Sequence, residues 1–146
     1  MSSFVYTPAK AKLLSGDLDF ETHHIRVMLL MSNTTAGVQE DTATISGFTT
    51  LDEYDGTNYA RQALTAKVVN QNNANNRGEF DADDVTWTAL GAGARNCVAI
   101  LVYHYVTNDE DSIPIAYIDN APQFPFNGNG GDVTIQWNAN GIIWAS

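Results

Sequence analysis

The sequence predicts a mainly β protein: an antiparallel β-sandwich or jelly-roll-like domain with one short N-terminal helix. Three observations carry this. Residues 97–106 (CVAILVYHYV) are a continuous apolar run of strand length, residues 113–119 (IPIAYID) are a second, and the polar residues 107–112 (TNDEDS) lie between them. Two β-rich runs joined by a short polar connection read as an antiparallel hairpin. Shorter runs elsewhere alternate apolar with polar side chains, as in Val85-Thr86-Trp87-Thr88 and in residues 132–137, the half-buried strand pattern. Turn signals separate the runs: Asp55-Gly56, the glycine-rich residues 127–131 and Asn140-Gly141. Short strands punctuated in this way, with no internal repeat, belong to sandwiches and jelly rolls.

The hairpin is the centre of the expected architecture. On its first strand Val98, Ile100, Val102 and Val106 share one face with His104, and Ala99, Leu101, Tyr103 and Tyr105 share the other. Both faces are apolar, whereas a strand with one wet face alternates. This strand is therefore central in a sandwich, or its second face is covered by a helix or a neighbouring subunit. On the second strand Ile113, Ile115 and Tyr117 oppose Ala116 and Ile118. Pro114 cannot donate to a ladder, so it belongs at the strand's start or on an edge.

Taken in order, residues 4–16 predict a short helix, with Thr7 as cap, Pro8 in the first turn and Gly16 at the end. A helix this short is unstable alone, so Phe4, Leu13 and Leu14 are expected to dock it on a sheet face or edge. Residues 20–31 read as the first strand, where Ile25, Val27, Leu29 and Met31 alternate with His24, Arg26, Met28 and Leu30. Residues 32–58 read as a long loop or arm anchored by Ile45, Phe48 and Leu51. Connections of this length are usually functional. A second strand region is expected over residues 59–70. The polar tract at 70–78 (NQNNANNRG) reads as an exposed loop, and residues 90–94 (LGAGA) as a bend. Beyond the turn signals at Pro122, Pro125 and 127–131, residues 132–137 form a strand. Asn140-Gly141 then predicts a hairpin in which Ile142-Ile143-Trp144 returns beside it.

Bulk properties narrow the function classes. The 146 residues fit one domain, with residues 1–16 as a helical arm and 32–58 as a second arm. A domain of this size buries roughly 70% of the surface of its unfolded chain, enough to need no staple. Seven cationic against 17 anionic side chains give a formal charge of −10. That balance repels phosphate backbones and anionic lipid, which argues against nucleic acid and membrane as partners. The single cysteine, Cys97, excludes an internal disulfide and reads as a small buried hydrophobe. The N-terminus lacks the apolar core of a signal peptide, and the longest apolar run is too short for a bilayer. Asn33-Thr34-Thr35 matches a glycosylation sequon that is coincidental without secretion. A reducing cytoplasm is the expected place of synthesis.

No catalytic or metal-binding constellation stands out. Glu79, Asp81, Asp83 and Asp84 lack the ligand spacing of a helix-loop-helix calcium site and read as a solvated flank. Asp109-Glu110-Asp111 reads as a solvated loop tip. His23 and His24 are adjacent, so on a strand they point apart and cannot share a metal. The glycines of 127–131 are followed by no lysine and no helix, which excludes a phosphate loop. His104 lies in an apolar strand and no serine sits in a strained turn, so no nucleophile and base are paired. The chain is expected not to be an enzyme and to need no cofactor. Trp87, Trp137 and Trp144 are explained by a core; exposed, two or three aromatics would make a sugar-stacking platform.

Several segments together resemble small virion-associated structural proteins of tailed bacteriophages. Residues 54–64 (YDGTNYARQAL) resemble the EYDG-x-x-YAR segment of those proteins. So do residues 80–87 (FDADDVTW), Leu101-Val102-Tyr103, residues 115–119 (IAYID) and residues 129–137 (NGGDVTIQW), in the same order along the whole chain. The asparagine tract at 70–76 departs from the pattern and alters an outer surface. The resemblance implies a structural role in the virion, as a capsid decoration or cement protein or another head or tail component. Its partners would be copies of itself, for example in a trimer, and the major capsid protein or other virion proteins.

On that reading the helix supplies Phe4, Tyr6, Leu13 and Leu14 to subunit and shell contacts. The 34–59 arm supplies Tyr54 and Tyr59, with Arg61 beside them. Tyr103 and Tyr105 place the second face of the central strand within an oligomer. Deleting residues 1–16 is expected to abolish incorporation into particles and leave the sheet folded. The alternative functions are a carbohydrate-binding β-sandwich module and, less compatible with the residues, a small hydrolase.

Overall fold

The computed structural model describes residues 3–146. The chain is mainly β, with several antiparallel sheets and one short α-helix in a β-sandwich-like arrangement. The main sheet has five strands: β1 (Phe4–Val5), β8 (Ile113–Ile118), β7 (Cys97–His104), β2 (Ile25–Met31) and β3 (Gln62–Ala63), in that spatial order. A second sheet orders β10 (Ile143–Ala145), β5 (Arg77–Asp81) and β4 (Val68–Asn72), and a third pairs β6 (Val85–Trp87) with β9 (Val133–Ile135).

The predicted hairpin is β7–β8, with Leu101 opposite Tyr117 and Val102 opposite Ala116. β7 lies at the centre of its sheet, flanked on the other side by β2, where Val27 faces Val102. Ala99, Ile100, Leu101, Val102 and Tyr103 are all fully buried. Both faces of β7 are therefore covered by this chain itself, and the second face is not left for another copy. Pro114 sits at the second position of β8, opposite Tyr103, next to a register shift at Val102/Tyr103.

β1 and the helix α1 (Thr7–Ser15) close one edge of the sheet. Phe4 pairs with Tyr117 and Val5 with Ala116, and the Tyr6 amide donates to the Ile115 carbonyl at 2.9 Å. Pro8 occupies the first turn, no side chain caps the helix start, and Gly16 ends it with φ 81°. That left-handed value is the reason for glycine there. The helix docks through Ala9 and Leu13, one turn apart on one face. Leu14 does not dock as expected: it is 91% exposed. At about 100° per residue Leu14 stands some 140° round the helix from Ala9, off the buried face.

Residues 32–58 are not a free arm. They fold back through two short 3-10 turns, Ala36–Val38 and Ile45–Gly47, and bury Ala36, Ile45, Phe48 and Tyr54 in the common core, with Leu51 half-buried against it. The Met31 amide bonds the Asp52 carbonyl at 2.7 Å and the Tyr54 amide bonds the Leu29 carbonyl at 2.9 Å. The segment thus extends the open edge of β2, where β3 pairs further along.

Three more expectations change. The first strand begins only at Ile25, because residues 19–23 form a turn in which Asp19 Oδ1 accepts from the Glu21 amide at 2.9 Å. The region 59–70 is broken at Ala66, whose φ of 52° is incompatible with a continuing strand. The asparagine tract is the tip and flank of a hairpin: Asn70 pairs with Glu79 and Asn72 with Arg77. Asparagine serves the turn because it tolerates the left-handed region, as Asn76 does at φ 52°.

The last strand also has a different neighbour. A turn forms at Asn138–Gly141, the Gly141 amide bonding the Asn138 carbonyl at 2.8 Å. It delivers the chain to β5, with Ile143 opposite Phe80, and not to β9. A Cβ on Gly141 would stand 2.6 Å from the Phe80 carbonyl oxygen, so only glycine brings the turn this close. β9 is already taken by β6, where the Thr86 and Thr134 hydroxyls meet at 2.7 Å. Val85 and Trp87 face inward and Thr86 outward, as their alternation predicts.

Candidate functional site

Most of the side chains expected at an interface are used inside the chain. Tyr6 is fully buried and donates its hydroxyl to the Ala36 carbonyl at 2.8 Å. Phe4 is half-buried and stacks on Tyr117, with ring centroids 5.6 Å apart. Tyr59 is half-buried: its hydroxyl accepts from the Leu29 amide at 3.1 Å and donates to Glu53 Oε2 at 3.3 Å. Burial pushes the ionisation of both Tyr6 and Tyr59 far upward. Tyr105 is half-buried with Arg26 over its ring at 4.0 Å, and its hydroxyl donates to the Thr107 carbonyl. Tyr103 is buried beneath Arg61. Leu13 packs on the core. Of this set only Leu14 is an open apolar side chain, joined by Val38, which is 75% exposed.

Residues 54–61 form a structural tie. The Tyr54 hydroxyl sits at its centre. It lies 2.8 Å from the Gly91 carbonyl and 2.9 Å from Asn127 Oδ1, and accepts from the amides of Gly93 and Gly128, each at 2.9 Å. The backbone crowds here to a degree only glycine permits. A Cβ on Gly56 would fall 2.2 Å from the Gly91 oxygen, and one on Gly128 would fall 2.4 Å from that same atom. Arg61 finishes the tie with Glu53, Nε to Oε2 at 2.6 Å, and with Asp109, Nη1 to Oδ1 at 2.5 Å and Nη2 to Oδ2 at 2.9 Å. These carboxylates raise the Arg61 guanidinium further above its ordinary value, Asp109 contributing most.

The expected loop tip at 109–111 is therefore not merely solvated. Asp109 binds Arg61, and Asp111 caps the turn by accepting from the amides of Thr107 and Asn108 at 2.9 and 3.0 Å. Those hydrogen bonds, with one from the Thr107 hydroxyl, hold the Asp111 carboxyl below its usual range. The acidic flank is engaged too. Glu79 pairs with Arg77 at 2.7 Å, and Asp84 Oδ1 accepts from the Trp137 amide at 2.9 Å. Among the described residues no group of three or more metal-ligating side chains is assembled.

The three histidines lie at one end of the β2–β7 pair, where Ile25 faces His104. His23 stacks on His104 with centroids 4.3 Å apart and planes 4° from parallel, and His24 meets Tyr105 edge-on. Burial lowers the His104 pKa, and His23, Lys12, His24 and Lys67 lower it further. His24 is lowered by burial, Arg26 and Lys67. Both surroundings favour the neutral imidazole. Cys97 is buried, with its thiol pushed up to about 12, which makes it a poor nucleophile.

The surface also carries an open concavity. A cleft of about 420 Å³ lies between the 118–122 segment and the β9–β10 connection, walled by Trp137 and Trp144 and rimmed by Asn120 and Gln136. A smaller hollow of about 220 Å³ adjoins it and shares Ser3, Ile118, Ile142 and Trp144. No acidic or basic side chain lines either one, and the smaller hollow includes the Tyr117 phenol. Sequence reasoning treated these tryptophans as core. Their spacing across the Asn140-Gly141 turn was the only available signal, because the opposite wall comes from the remote 118–122 segment and Ser3. Compared with known proteins, the chain matches no family model, no curated protein and no solved structure.

Proposed function

We propose that the chain is a structural subunit of a tailed-phage virion, a capsid decoration or cement protein that stabilises the head through subunit–subunit contacts. The observation that carries this reading is the ordered set of segments from 54–64 to 129–137 that resembles such proteins. Their side chains serve architecture: Tyr54 and Arg61 tie loops together, and Trp87 donates its indole N–H to the Ala60 carbonyl at 2.7 Å. The most exposed of the large apolar side chains, and those open to neighbours, are Leu14 on the helix and Val38 on the folded-back segment. Burying a leucine contributes about 1.5–3 kcal/mol. Repeated over many copies, such contacts resist the outward pressure of packaged DNA.

Removing residues 1–16 is an unsuitable test, because β1 pairs within the main sheet and Tyr6 and Ala9 are core. The double variant Leu14→Glu/Val38→Glu changes only exposed positions. Co-sedimentation with phage particles measures the outcome, and circular dichroism checks the fold. The wild-type chain is expected in purified particles and the folded double variant is expected to be lost from them. A wild-type chain absent from particles would overturn the virion reading; a variant retained at wild-type level would overturn this contact surface.

A further inference from the structure

We propose that the Trp137–Trp144 cleft binds a neutral oligosaccharide, a property beyond the virion role proposed above. The argument starts from the two indoles. Trp137 is pinned: its indole N–H donates to the Asp83 carbonyl at 2.9 Å and its backbone amide is held by Asp84. With its polar atom satisfied, what it offers the cleft is ring carbon. Trp144 is 44% exposed, with the Arg77 guanidinium over its ring at 4.9 Å. Arg77 is not part of the cleft wall, while Trp144 lines both hollows. The ring is thus steadied from outside and open to a ligand that runs from one hollow into the next. Ligand sites are commonly clefts of this size, apolar with a few polar groups that set orientation.

The polar groups identify the ligand. Asn120 and Gln136 line the cleft, and their amides have no hydrogen-bond partner among the described residues. An amide both donates and accepts, which matches hydroxyl groups that do the same. A sugar ring presents an apolar C–H face for an indole and a hydroxyl edge for an amide. Charge excludes the competitors. The chain carries 17 acidic and seven basic side chains, yet none enters the cleft wall. A phosphate or carboxylate ligand would find no cation, and a cationic peptide no carboxylate. A purely apolar partner would bury two amides without partners, which is costly.

The test is a titration of tryptophan fluorescence with maltohexaose, cellohexaose and chitohexaose, and with hexagalacturonate as the charged control. At least one neutral hexasaccharide is expected to give a saturable change. Trp144→Ala should weaken it about tenfold, the scale of one lost ring contact. Asn120→Ala/Gln136→Ala should weaken it without removing either indole. Calorimetry on the same variants gives a readout independent of fluorescence, and circular dichroism confirms that they fold. Silence with all three neutral sugars, equal binding of the charged control, or unchanged affinity in folded Trp144→Ala would each overturn the proposal. None of these outcomes bears on incorporation into particles, so this inference and the virion reading fail separately.

Discussion

The Tyr54 tie and the tryptophan cleft use the same kinds of residue, aromatics and amides among glycine-rich loops, to opposite ends. At the tie every polar atom is consumed: one hydroxyl meets four backbone or amide partners, and Asn127 spends its side chain on Tyr54 and Gly93. At the cleft Asn120 and Gln136 spend nothing, and Trp144 stands almost half in water. The difference teaches where stability ends and recognition begins. A satisfied cluster resists change because any loss strands a buried donor or acceptor. An unsatisfied one costs the fold little and keeps its bonding capacity for something else.

This contrast is open to direct attack. The largest effect is expected from Gly56→Ala, whose methyl would collide with the Gly91 backbone. A loss of about 3 kcal/mol, roughly 10 °C in Tm for a chain of this size, should appear in thermal denaturation. Tyr54→Phe should follow at about 1–3 kcal/mol, since it leaves the buried Gly128 amide without its acceptor. A melting temperature unchanged by either would mean that the tie does not hold the loops.

pH separates the cleft from the fold that carries it. His104 and His24 bind protons less readily folded than unfolded, so nothing is lost above their ordinary value of 6.5. As pH falls below 6.5 the unfolded chain gains protons first, and stability declines until the folded imidazoles are also charged. Denaturant midpoints between pH 7.5 and pH 5 should show the decline, while the uncharged cleft should hold its affinity for as long as the chain stays folded. The smallest effect is expected from Trp144→Ala. Its ring is almost half exposed and its Arg77 contact is on the surface, so stability should change by no more than about 1 kcal/mol. A larger loss in chemical denaturation would make the cleft wall a part of the core.

What the sequence disclosed depended on how local the information was. The β7–β8 hairpin was legible because its strands are long, continuously apolar and separated by six residues that cannot be buried. The inward Val85 and Trp87 were legible from alternation alone. The β4–β5 hairpin was not, because its outer strand is polar and exposed and is held by pairing and by bonds such as Asn72 to Glu79 at 2.8 Å. Asn140-Gly141 announced a bend but not the strand that would receive it, and β5 lies some 60 residues away in the chain. The burial of Tyr6 and Tyr54 was not legible, because a hydroxyl whose partner is a distant carbonyl leaves no trace in spacing. The cleft was invisible for the same reason, being assembled from three separate stretches.

The pairing of β1 with β8 has a temporal consequence. Phe4 and Val5 leave the ribosome more than a hundred residues before Ala116 and Tyr117. Until then Tyr6 and Ala9 have no site to occupy, and the half-made chain exposes them to chaperones and to its own kind. Completion of the main sheet waits for residues 113–118, so ribosomes stalled before residue 113 would hold residues 4–9 in a protease-sensitive state.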